Sequence, residues 1–153
     1  MSTGNKLQSY NAATDKLMQQ AQGLKIINKT KFSLPEMVSL LRESFKYKIT
    51  YKKVFNELLR EKVDPATGFC IVSSFYIYER TGGDKVWNVM ETPIHWWLEH
   101  KQTGEVFDIT YTQFEDPFPY KMGTPVKKVK NDPRVIRILK EKALILGRAA
   151  GME

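Results

Sequence analysis

Leu7, Tyr10, Thr14, Leu17, Met18 and Ala21 recur at helical spacing through an otherwise polar segment rich in Gln, Asn and Ser. That pattern predicts a thinly apolar helix over residues 1–23, with Gly23 as its stop and fraying at the terminus competing with packing. LKIIN, residues 24–28, is too short for periodicity to separate a strand from part of a turn. Ser33 followed three residues later by Glu36 makes a capping box, and Leu34, Met37, Val38, Leu41 and Phe45 then hold one helical face. Lys46–Thr50 interrupts this pattern. Thr50 caps a further predicted helix carrying Tyr51, Val54, Phe55, Leu58 and Leu59, so the two helices form an expected antiparallel pair.

Asp64-Pro65-Ala66-Thr67-Gly68 is a turn, because proline fixes its own backbone angle and biases the preceding residue away from helix. Phe69–Arg80 follows as a helix, apolar at Ile71, Val72, Phe75, Tyr76 and Ile77 and ended by Gly82-Gly83, which marks it as central. After Gly83 the period changes. Val86–Met90, Ile94–His100 and Glu105–Ile109 read as antiparallel strands, the last two joined by a hairpin through Gln102-Thr103-Gly104. Glu115–Pro125 carries three prolines and Gly123 and is predicted to be loop. Asn131-Asp132-Pro133 opens a last helix, with Val135, Ile138, Leu139 and Leu146 toward the core and Arg134, Arg137, Lys140 and Arg148 outward. The expectation is one α+β domain over residues 1–153: N-terminal helices and a central cysteine-bearing helix on an antiparallel sheet, then a C-terminal helix.

Composition changes this picture little. The length suits one core. With neither a secretory apolar region nor an 18-residue apolar run, a soluble cytoplasmic protein and no membrane partner are expected. Lys and Arg outnumber Asp and Glu by 24 to 17. The excess lies in Lys46–Lys53, Lys127–Lys130 and the last helix, patches that are either solvated helix faces or a surface for an acidic protein or nucleic acid. No nucleic-acid motif, phosphate loop or dinucleotide pattern accompanies them, and no cofactor is implied.

The chemistry sits between Gly68 and Phe114. Cys70, the only cysteine, stands at the mouth of a helix, where the dipole and unpaired N–H groups favour a thiolate and the Cys70 N–H can help hold an oxyanion. His95 and Asp108 follow on adjacent strands. With Gln102-Thr103 as the turn, His100 faces Glu105, and residues whose numbers sum to an odd value share a face. His95 and Asp108 sum to 203, so the carboxylate can orient the imidazole; an even register would put them on opposite faces. Taken singly, a free cysteine is usually a small buried hydrophobe, the histidine a satisfied core group and the aspartate a solvent-facing residue. In this order they predict a Cys70-His95-Asp108 nucleophilic site. His95 and His100, five apart on a strand, face opposite ways and make no metal pair. Trp87, Trp96 and Trp97 divide between core and pocket wall.

GFC before an aromatic helix and Gly82-Gly83, then HWWL, then GEVFDITYTQF, resembles the YunG family of small bacterial proteins, and the His/Asp part resembles transglutaminase-like proteins within the papain-like fold. The resemblance covers residues 68–114. It implies Cys70 as nucleophile, His95 as base and Asp108 as orienting acid, with Gln113 retained by the motif without an assigned role; Gln113, Trp97 and Trp87 are the candidate pocket or supporting residues. Phe69 departs from the pattern, standing where a glutamine that serves the oxyanion is common. The expected activity is acyl transfer at a protein or peptide-like amide, as hydrolysis, deamidation or crosslinking. The competing expectation is a non-catalytic binding protein on the same scaffold.

Overall fold

A computed structural model describes residues 3–46 and 64–153. The N-terminal helix α1 spans Thr3–Gln22. It does not stand apart: Tyr10, Ala13, Leu17 and Ala21 are buried, and the Tyr10 hydroxyl donates to the Arg42 carbonyl at 2.6 Å. The helix α2 spans Leu34–Phe45 behind the predicted capping box, Ser33 Oγ accepting from the Glu36 N–H and Glu36 Oε1 from the Ser33 N–H. All five residues of its apolar face are buried, each contributing about 1.5–3 kcal/mol. LKIIN is neither strand nor hairpin turn. Two backbone bonds tie this region to the end of the cysteine helix, Ile27 N–H to the Thr81 carbonyl at 3.0 Å and Lys29 N–H to that of Arg80 at 2.9 Å. The predicted helix carrying Tyr51 to Leu59, its pairing with α2 and the basic run through Lys53 lie outside the described residues.

The turn at 65–68 brings the chain into α3, Cys70–Arg80, with Gly68 at φ +90°. Asp64 Oδ1 closes the turn by accepting the Ala66 N–H at 2.8 Å. Phe69, just before the helix, is buried and stacked on Phe45 with ring centroids 4.4 Å apart, so the mouth of α3 is anchored to the end of α2. Ile71 alone of the apolar run is exposed.

Four antiparallel strands follow in the order β3-β2-β1-β4. They are β1 Trp87–Thr92, β2 His95–His100, β3 Val106–Phe107 and β4 Thr124–Pro125. Leu98 pairs with Phe107 and Glu99 with Val106, the odd register the spacing required. The connection is longer than a two-residue turn: Gly104, at φ +74°, donates its N–H to the His100 carbonyl, while the His100 N–H bonds the Glu105 carbonyl. The segment expected to be all loop supplies β4, whose Pro125 pairs with Met90 and Thr124 with Glu91. Gly123, just before it, lies so close to Trp97 that a Cβ there would collide with the indole ring.

A short helix α4, Lys128–Asn131, precedes α5, Pro133–Ala149, which Asp132 caps by accepting the N–H groups of Arg134 and Val135. Leu139, Ala143 and Leu146 form its buried stripe; Ile138, expected inward, lies off that stripe and is 47% exposed. The fold is mixed α+β, and among the described residues no helix is long and apolar enough to cross a membrane.

Candidate active site

Three elements converge here. The first residue of α3 is Cys70, half-buried. The first residue of β2 is His95 and the residue after β3 is Asp108, diagonal neighbours across the hairpin in the observed register. His95 Nε2 and Asp108 Oδ2 are 2.6 Å apart, with side chains 0% and 3% exposed. The Cys70 thiol also hydrogen-bonds the imidazole ring. Burial works against a charged His95, yet the bonds from Asp108 and Cys70 and their negative charge outweigh it and raise the imidazole to about 9. At neutral pH the arrangement favours an imidazolium.

Asp108 is held on every side. Its Oδ2 also accepts the Tyr120 hydroxyl at 2.7 Å, and its Oδ1 accepts the Thr110 N–H and hydroxyl, both at 3.1 Å. Burial and the adjacent carboxylate keep Tyr120 protonated, raising its pKa well above the ordinary tyrosine value. An aromatic collar surrounds the imidazole: Phe114 at 4.7 Å and Phe118 at 4.9 Å between ring centroids, both edge-on, and Trp97 stacked at 5.7 Å. By excluding water it strengthens the His95–Asp108 attraction. Gln113 reaches the same ring, its Nε2 3.4 Å from His95 Nδ1.

Thus Cys70, His95, Asp108, Gln113 and Trp97 come together. Trp87 does not. It pairs with His100 on the opposite face of the sheet, donates its indole N–H to Thr81 Oγ1 at 2.7 Å and packs on Phe107, a core residue with no part in the site. His100 shares that face, bonded to the Lys25 carbonyl. A cleft of about 350 Å³ touches Asp108 and Tyr120 from the α1 side, beside Lys16, Gln20 and Tyr111, but neither Cys70 nor His95 lines it.

Sequence reasoning missed Tyr120, Phe118 and Arg42. The first two lie in the proline-rich stretch, where no period points a side chain anywhere. Arg42 left a signal, since it stands four residues after Val38 on the buried stripe of α2. Fully buried, it donates to the carbonyls of Ile109 at 2.5 Å and Tyr10 at 3.0 Å and to Thr14 Oγ1 at 2.6 Å, and lies on the Tyr10 ring at 3.8 Å. Asp64 and Asp108 compensate its charge. It therefore fixes the backbone immediately after Asp108.

No protein-family model, no curated protein and no solved structure matches this chain.

Proposed function

We propose that the protein is a cysteine-dependent acyl-transfer enzyme acting on amide or peptide-like substrates, on a papain-like or transglutaminase-like scaffold. One observation carries the reading: a buried imidazole with a carboxylate 2.6 Å from Nε2 and a hydrogen bond from the ring to a helix-mouth thiol. The resemblance of residues 68–114 to the YunG family supports it.

With the proton already on His95 Nδ1, the Cys70 sulfur attacks the carbonyl carbon; a C–S bond forms and the carbonyl pair moves to oxygen. When that pair returns, the C–N bond breaks and the leaving amine takes the proton from Nδ1, giving a thioester on Cys70. Water, or an amine in a transfer reaction, then attacks the thioester and gives its proton to Nδ1. The sulfur leaves, and the proton stays on Nδ1, which restores the starting pair. Asp108 holds Nε2–H and stabilises the imidazolium throughout.

p-Nitrophenyl acetate tests the reading without knowledge of the natural substrate. The expected result is a burst of p-nitrophenolate and an acetyl adduct located on Cys70, both absent in Cys70→Ala. A wild-type protein with no adduct, or with one that survives Cys70→Ala, would overturn the reading and favour a binding protein on this scaffold.

A further inference from the structure

Asp108 Oδ2 is shared. His95 Nε2 lies 2.6 Å from it and the Tyr120 hydroxyl 2.7 Å, while Oδ1 is engaged by Thr110. A carboxylate oxygen only accepts, so the Tyr120 proton points at the same atom as the imidazole N–H. A hydrogen bond donated to a carboxylate stabilises its negative charge and so lessens its hold on a neighbouring proton.

Tyr120 is fixed in that place. Its ring packs edge-on to Trp97 at 5.1 Å and against Phe118 at 5.3 Å between centroids, and both of those rings also lie against His95. The Gly123 N–H donates to the Tyr120 carbonyl at 3.0 Å, and Gly123 itself has no room for a side chain against Trp97. Burial and Asp108 keep the phenol protonated, and therefore donating, through the range in which His95 titrates. Other titratable groups act from neighbouring elements: the Cys70 thiol on His95, the Arg42 guanidinium on Asp108 and Tyr111 on Tyr120. Of all these, Tyr120 is the one that donates to the oxygen His95 uses.

We infer that Tyr120 is a positioning residue acting on His95 through Asp108: its hydroxyl keeps Oδ2 aimed at Nε2 and takes up part of that oxygen's capacity to accept, so the imidazolium is held in place yet still releases its proton. This rests on the acyl-transfer reading above, in which Nδ1 gives a proton to the leaving amine and regains one from water. p-Nitrophenolate leaves without a proton. With p-nitrophenyl acetate the demand therefore falls on deacylation, for which His95 must first be neutral.

Tyr120→Phe removes one oxygen and keeps the ring. Its His95 midpoint, read by ¹⁵N NMR, is expected to rise by about one pH unit, the scale of one hydrogen bond to a charged group. Deacylation, read as the steady rate after the burst at a pH below that midpoint, is expected to slow about tenfold, to lose more than the burst does, and to recover as the pH is raised. Replacing Tyr120 by a ring-fluorinated tyrosine, a stronger donor, is expected to move the midpoint the other way, which keeps the test open if the phenylalanine variant does not fold. A midpoint unmoved or lowered in Tyr120→Phe, or burst and steady rates that fall together with an unchanged pH profile, would make Tyr120 a structural support and overturn the inference. A wild type that gives no burst defeats the acyl-transfer reading and this inference with it; a wild-type burst beside an unmoved midpoint defeats this inference alone.

Discussion

In Asp108→Ala, acylation of Cys70 by p-nitrophenyl acetate is expected to fall about 10³–10⁴-fold, the scale set by loss of an orienting carboxylate in a nucleophile-base-acid site. Three groups lose their acceptor together: His95 Nε2–H, the Tyr120 hydroxyl and the Thr110 pair. Without Asp108 the burial of His95 is opposed by the thiol alone, so the imidazolium loses its main support. The orientation of the ring is no longer fixed either. The check is the burst rate measured beside circular dichroism, to separate lost chemistry from lost fold. A loss smaller than about tenfold in a folded variant would mean that the carboxylate is a structural hydrogen-bond acceptor and not the orienting acid.

The second large effect is on stability. Arg42→Met is expected to cost about 3–5 kcal/mol, because removing one member of a buried charge network leaves the others uncompensated. For a chain of this size that corresponds to a fall in Tm of about 10 °C. Ile109 and Tyr10 would lose donors to their carbonyls, and the α1–α2 contact and the Asp108–Gln113 segment would loosen together. Thermal unfolding checks the size of the loss. The acylation rate at a temperature where the variant is folded checks the link to the site. Arg42→Lys, which keeps the charge but not the planar fork, is expected to recover only part of either.

The helices were legible where pattern and cap agreed. Ser33 with Glu36 and Asp132 with Pro133 locate two helix starts, because a cap is a local hydrogen bond written in adjacent residues. The hairpin register was legible as well, since a period of two leaves only two faces, and it is what joins His95 to Asp108. Its turn was not, because Gly104 in the left-handed region closes a longer loop at the same register. β4 was hidden by its own proline: a two-residue edge strand tolerates Pro125, whereas a longer central one would not. Tyr120 was invisible for a related reason, its position being set by the packing of Phe118 and Gly123 on Trp97 and not by any repeat. Trp87 shows the converse. An aromatic on a strand beside the site is drawn to the core or to the pocket by its face alone, and its pairing with His100 decides for the core.

The central claim is that the sulfur, the imidazole and the carboxylate form one electrostatic unit, and a ¹⁵N NMR titration of the two histidines tests it most directly. The account predicts that His95 remains protonated through neutrality and loses its proton as the pH rises through about 9, and that the midpoint falls in Cys70→Ala because the thiol's bond and charge are gone while burial remains. A His95 midpoint near the unperturbed value of about 6.5, unmoved by Cys70→Ala, would contradict it.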